Sequence, residues 1–257
     1  MMKALGIIAA RKGSKRLVNK HHIQILGKPI FEYVLQAASE ASHVLEKTVV
    51  CTDDLSLEPL VKKYGFELIP RPEILSSDTA AIDDTYRYTT RLLMERDGFN
   101  PDAIIALTGN IPTRKEGQIE ATLTKLASLD KATSVCTAQN LLLRPEWAKV
   151  IADPVTGQVK PFMTGDFAYR KQELPELYIL DGAVIAIRRD VLFATEGLTQ
   201  AHAWLGSQIH ILPQEHPMYS LEVDYPQDIS QAAFYLLYQQ QGQKLLDYLN
   251  SVQTPSL

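Results

Sequence analysis

The chain of 257 residues is 46% apolar with a formal net charge of −4, enough apolar material for a sizeable core and an acidic balance that excludes a general nucleic-acid binder, whose footprint is a net basic surface. No apolar run reaches the roughly 18–20 residues that span a bilayer, and "ALGIIAA" is too short, and too soon followed by charge, to read as a secretory leader. Cys51 and Cys136 lie in apolar strand-like runs and are expected as reduced core residues of a cytoplasmic protein that binds neither nucleic acid nor membrane.

"KALGIIAA" predicts a strand covered on both faces, since its apolar residues do not alternate. The loop "ARKGSKRLVNK" follows, then "PIFEYVLQAASEAS", apolar at helical spacing with Pro29 in the first turn. "KTVVCTDD" reads as a strand ending in two acids, "LSLEPLVKKYG" as a short helix stopped by Gly65, and "FELIP" as a strand. "RPEILSSDT" reads as loop, "AAIDDTYRYTTRLLMER" as helix, "DAIIALTG" as strand, "RKEGQIEATLTKLAS" as helix and "KATSVCTAQ" as strand. This alternation predicts a parallel, doubly wound sheet. Over residues 141–177 proline, glycine and polar residues take over, with "DPVTGQ" as a hairpin turn, so an excursion of hairpins and loops is expected. "YILDGAVIAI" and "IHIL" return to the sheet, the extended "SLEVD" precedes the helix "YPQDISQAAFYLLYQQ", and "GQKLLDYLNSVQTPSL" reads as a last helix with a frayed end.

Ligands of open α/β sheets sit at the carboxyl ends of the strands. There the first loop places Arg11, Lys12, Lys15, Arg16 and Lys20 around Gly13 and Ser14, an anion cradle of backbone N–H groups and cations. Its spacing is neither the Walker nor the dinucleotide pattern. Two readings stand side by side: a solvated charged turn, and a triphosphate site. Glu222 and Asp224, two apart in "LEVD", point the same way on an extended segment. They suit Mg²⁺, which takes one or two carboxylates plus substrate phosphates; alternatively Asp224 caps the helix that follows. His21 and His22 read as a surface pair bordering the loop, and Arg114 as a charge at a helix start on the same rim.

Six segments in this order, "IIAARKGSKRLVNK", "VVCTDD", "RPEILSSDTAA", "ALTGNIPTR", "KQELPELYILDGAVIAI" and "SLEVDYPQDI", resemble the cytidylyltransferases that activate nonulosonic acids. These are the CMP-sialic, CMP-legionaminic and CMP-pseudaminic acid synthetases, with the CMP-Kdo synthetases more distant. The resemblance covers about residues 3–240. It implies a single α/β domain over 1–257 with a Rossmann-like nucleotidyltransferase (nucleotide-diphospho-sugar transferase) fold, a mostly parallel central sheet and 141–177 as a small hairpin excursion. It implies attack of a sugar acid on the α-phosphate of CTP, with Mg²⁺, giving a CMP-sugar and pyrophosphate. By matched position Arg11, Gly13, Ser14 and Lys15 wrap the triphosphate, and Lys20 meets the phosphates near the reacting centre. Arg71, Ser77, Ala80 and Thr108 fall at nucleotide-binding positions; Glu222 and Asp224 match the metal-binding acids. Lys20, Arg11 and Asp224 are thereby the catalytic set, and Lys171, Gln172 and Asp181 the acceptor-binding one. The excursion matches the segment by which relatives form homodimers, "KQELP" reaching into the partner's site.

The departures bear on substrate choice. Thr108 stands where relatives place a glutamine, and Leu180 where they place an arginine before "Asn-Gly", here Asp181-Gly182. A bidentate clamp on a sugar carboxylate is then either missing or supplied elsewhere, by Arg170 or Lys171. Val18 and His21 replace the usual Pro and Asn. Two rival readings follow: a nucleotidyltransferase using another NTP such as GTP, or a sugar-phosphate acceptor; and an inactive nucleotide-binding relative.

Overall fold

The computed structural model describes residues 2–252, with side chains through 242. Strand β1 (Ala4–Ala10) is buried at every position, which explains its unbroken apolar run: both faces of the sheet are covered. Alternate side chains divide between two cores. Ala4, Ile8 and Ala10 face one cluster with Phe31, Val34 and Leu35, whereas Leu5, Ile7 and Ala9 face another with Tyr86, Leu93 and Leu192.

A ladder of two residues on each side, β2 (Gln24–Ile25) with β3 (Lys28–Pro29), leads into α1 (Ile30–Glu40). Strand β4 (Lys47–Thr52) pairs parallel to β1, and β5 (Glu67–Pro70) parallel to β4, joined by α2 (Glu58–Lys63). After the one-turn α3 (Glu73–Ser76) and the long α4 (Ile82–Asp97), β6 (Ala103–Thr108) pairs on the other side of β1. Helix α5 (Gln118–Ser128) precedes β7 (Ser134–Asn140). The excursion carries the antiparallel pair β8 (Lys149–Asp153) and β9 (Gln158–Pro161) around the expected turn. Strand β10 (Tyr178–Arg188) runs antiparallel between β6 and β7, and β11 (Ile209–Pro213) lies parallel to β7. Between them is α6 (Arg189–Ala194), and the chain continues into α7 (Pro226–Val252). The seven-stranded order is β11-β7-β10-β6-β1-β4-β5. Helices α1 and α5 pack on one face, α4 and α6 on the other.

A third, smaller cluster positions the site. Leu17 of the basic loop and Ile25 pack with Ile30, Val223, Ala232 and Leu236, so the loop is pinned by its own apolar residue to the segment entering α7.

Four expectations are corrected. "RPEILSSDT" contains the helical turn α3. "SLEVD" forms no ladder; its one N–H bond to a backbone carbonyl among the described residues runs from Val223 to Asn110 O at 2.8 Å. Helix α5 begins at Gln118 because Gly117 ahead of it is left-handed at φ 74°, leaving 114–116 outside. The two C-terminal helices are one, α7 running through Gly242, a residue whose helix-interior cost of about 1 kcal/mol the neighbouring turns tolerate. The frayed end expected after it falls on 253–257, outside the described residues. Both cysteines are free and buried, as expected. No described helix is long and apolar enough to cross a membrane.

Candidate active site

β1 ends at Ala10, and the chain turns at once: Ser14 N–H donates to Lys12 O at 2.9 Å, and Lys12 N–H to Asp53 Oδ1 at 2.7 Å, at the end of β4. A Cβ on Gly13 would meet nothing within 4 Å, and its φ is not left-handed; the fold itself makes no demand for glycine there. Arg11 donates to Asp78 Oδ1 at 3.0 Å and to Ser77 O at 3.3 Å, and the Lys15 ammonium meets the other oxygen of Asp78. The loop after α3 is thus fastened across the mouth of the basic loop.

On the opposite wall, Lys20 donates to Asp224 Oδ1 at 2.7 Å, its side chain only 14% exposed. Asn110, just past β6, donates from one Nδ2 to Glu222 Oε1 (2.8 Å) and Asp224 Oδ1 (3.1 Å). Both acids therefore face one side without a ladder to align them. Burial raises the Asp224 pKa, but the Lys20 hydrogen bond and charge, the Asn110 amide and Arg16 outweigh it, and the carboxylate titrates below its ordinary range. Asp228, not Asp224, caps α7: its Oδ2 accepts from the N–H groups of Asp224 (2.9 Å) and Tyr225 (2.7 Å). The open choice between capping and facing the loop is settled by geometry.

These walls enclose a cavity of about 460 Å³ at the carboxyl ends of β1 and β6. It brings together Arg11, Ser14, Lys15, Lys20, Arg71, Ser77, Ala80, Thr108, Glu222 and Asp224. Gly13 lies in the loop beside it. Arg71 is buried; its Nη2 donates to Leu75 O, while its Nε, closed off from solvent, has no partner among the described residues. Three expected residues stand apart. Lys171 and Gln172 sit exposed on a single turn of the excursion, away from the cavity. The Asp181 carboxylate is engaged by Thr137 Oγ1, Ala183 N–H (3.0 Å) and Gln214 Nε2 (3.0 Å), bracing the irregular stretch of β10 around left-handed Gly182.

Two further expectations change. Arg114 is buried, not a helix-start charge: it donates to the carbonyls of Ala183 (2.6 Å), Ile111 (2.6 Å) and Thr108 (2.7 Å), fixing the end of β6 under the cavity, and burial lowers its pKa to about 10. His21 is 5% exposed and lines the cavity, edge-on to Phe31, while only His22 reaches the surface, bonded to Asp54 at 2.9 Å. Asn110, Asp78 and Asp228 were not legible as site-building residues; the signal for Asn110 was its place two residues beyond a strand end, on the rim where ligands sit.

The pair Glu222–Asp224 suits a divalent cation that takes most of its ligands from phosphate and water. No group of three or more His, Cys, Asp or Glu converges among the described residues, so a closed protein cage for a metal is not what this wall offers.

The family model described as "Cytidylyltransferase" matches residues 5–249. A CMP-N,N'-diacetyllegionaminic acid synthase of Legionella pneumophila is 30% identical over 196 residues, 74% of this chain and 81% of that protein. An N-acylneuraminate cytidylyltransferase of Escherichia coli is 32% identical over 97 residues, 38% of this chain but 23% of that longer protein. The solved CMP:2-keto-3-deoxy-manno-octonic acid synthetase, complexed with CTP, matches 92% of this chain and 99% of its own at a TM-score of 0.65 and 20% identity, a likeness of fold.

Proposed function

The chain belongs to the cytidylyltransferase family, and from that premise we propose that it joins CTP to a sugar acid of the nonulosonic type, releasing pyrophosphate. The carrying observation is a single cavity with the cations of the first loop on one wall and the Lys20–Asp224–Asn110–Glu222 cluster on the other. The acceptor oxygen forms a bond to the α-phosphorus, the bond from that phosphorus to the bridging oxygen breaks, pyrophosphate leaves with that oxygen, and the hydroxyl proton passes to solvent. Such a transfer asks for positioning and charge neutralisation more than covalent work. Arg11, Lys15 and the side-chain-free backbone at Gly13 hold the polyphosphate, Lys20 neutralises charge building near the reacting centre, and Arg71, which lines the cavity, meets the base or ribose. Glu222 and Asp224 would hold Mg²⁺, which supplies Lewis-acid polarisation of the phosphate when bound.

The excursion supports a homodimer. Leu142, Leu143, Ile151, Val155, Val159 and Phe162 are all exposed there, a density of apolar surface that a lone chain rarely leaves in water. A second copy covering it would carry Lys171 and Gln172 towards a neighbouring site. A chain consuming CTP works where that nucleotide is made, in the cytoplasm.

The test is pyrophosphate release from CTP and from the other three NTPs, with N-acetylneuraminic and N,N'-diacetyllegionaminic acids as acceptors. Lys20→Ala and Asp224→Ala are each expected to lower turnover by about 100-fold or more, with CTP preferred. Near-wild-type turnover in both folded variants overturns the mechanism, and preference for GTP overturns the substrate.

A further inference from the structure

Two carboxylates on one short segment repel each other unless a cation or a hydrogen-bond donor stands between them. Glu222 and Asp224 lie on such a segment, and they are not held equally. Asp224 is anchored twice: Lys20 donates to its Oδ1 at 2.7 Å, and its backbone N–H is bound by Asp228. Glu222 is exposed, and its only hydrogen bond among the described residues comes from Asn110 Nδ2, 2.8 Å from Oε1. The same nitrogen stands 3.1 Å from Asp224 Oδ1. One amide NH₂ group thus serves an oxygen of each acid. It must be the nitrogen that faces them, because a carboxylate can only accept.

Asn110 is itself fixed from behind. It is 7% exposed, and its backbone oxygen accepts from Val223 N–H at 2.8 Å. Thr113 repeats the stitch: its Oγ1 accepts from Leu221 N–H at 3.1 Å, and its carbonyl from Gln239 Nε2 of α7 at 2.9 Å. Arg114 bonds the carbonyls of Thr108 and Ile111, on either side of Asn110. The amide therefore stands on a braced base, whereas the glutamate it holds is a long side chain that costs rotamer entropy to fix. With Glu222 Oε1 and Asp224 Oδ1 engaged, Glu222 Oε2 and Asp224 Oδ2 make no hydrogen bond among the described residues. Both carboxylates line the cavity.

Resting on the reading above of Glu222 and Asp224 as the magnesium-binding pair, we infer that Asn110 is the positioning residue of that pair. By donating to one oxygen of each acid it holds the two carboxylates together against their repulsion and leaves the other oxygen of each for the metal. An amide suits this task because it brings two donors without a positive charge that would compete with the cation.

The experiment compares wild type, Asn110→Ala, Glu222→Gln, the double variant and Thr113→Val. Mn²⁺ binding is followed by water-proton relaxation with CTP present and no acceptor, and pyrophosphate release is measured with N-acetylneuraminic and N,N'-diacetyllegionaminic acids across a Mg²⁺ series. Asn110→Ala and Glu222→Gln are each expected to weaken Mn²⁺ binding about tenfold or more, and the double variant to fall well short of the product of the two. Turnover lost in Asn110→Ala is expected to recover largely at high Mg²⁺. Thr113→Val, which cuts the same seam without touching an acid, is expected to lower the melting temperature and keep the wild-type affinity for Mn²⁺. Asn110→Ser, too short to span both acids, is carried in parallel and read as Asn110→Ala is, so that the test survives if one of the two fails to fold. Unchanged Mn²⁺ affinity in the Asn110 variants, losses that multiply in the double variant, or an equal loss in Thr113→Val would overturn the assignment. Wild type that binds no Mn²⁺ beyond what CTP itself holds removes the metal pair, and the role of Asn110 with it. The sugar-acid reading is judged separately, by whether wild type releases pyrophosphate with either acid.

Discussion

His21 lies edge-on to Phe31 with ring centroids 5.4 Å apart, and a Cβ on Gly109 would stand 2.9 Å from the Phe31 ring and 3.2 Å from His21 Nε2. Only glycine lets the end of β6 come this close. Burial, and then the neighbouring Lys20 charge, push the imidazole pKa down to about 4, so it is neutral at physiological pH. An unfolded chain takes up the proton near pH 6.5, whereas the folded one refuses it until about pH 4. Stability contributed by this group is complete above pH 6.5 and falls as the pH drops through that window, by on the order of 3 kcal/mol at the acid end. Chemical denaturation at several pH values is expected to show a steeper acid loss for wild type than for His21→Gln; parallel curves would refute the assignment. The charge of the basic loop could be read from its residues, whereas the enclosure of His21 could not, because it depends on Phe31 and Gly109, brought there by a helix and a strand distant in the chain.

The start of α7 shows how an element can aim a side chain that no ladder aligns. One Asp228 carboxylate oxygen takes the N–H groups of Asp224 and Tyr225, fixing the acid that faces the first loop. Asp228→Ala is expected to cost about 1 kcal/mol of stability and to depress pyrophosphate release well beyond that, while Asp228→Asn, which keeps an acceptor, loses much less. Calorimetric melting and initial rates measure the two effects separately. The parallel strands were plain in the sequence because burial on both faces leaves unbroken apolar runs. "SLEVD" imitated a strand by alternation, yet its single backbone bond to Asn110 is a property of where β6 ends. The turn α3 escaped notice because four residues carry too little periodicity to distinguish helix from loop.

Across the whole molecule, the sheet keeps its apolar surface inside while the excursion leaves Ile151, Val155 and Phe162 in solvent. Sedimentation equilibrium is expected to give twice the 28.8 kDa chain mass, and Ile151→Glu with Phe162→Glu to give a monomer of unchanged circular dichroism; a wild-type monomer at all concentrations would exclude the dimer. The alternation of strands and helices made the sheet legible, whereas the antiparallel insertion of β10 between β6 and β7 was not, since pairing direction depends on the path of the excursion. The bond from Lys20 to Asp224 joins positions 204 apart in the chain. A polypeptide still emerging from the ribosome can complete β1, β4 and β6 and still lack the acidic wall, so the cavity is unfinished until synthesis has passed Asp224. A nucleotide held there would bridge early and late segments and so add to the stability of the folded chain in proportion to its occupancy.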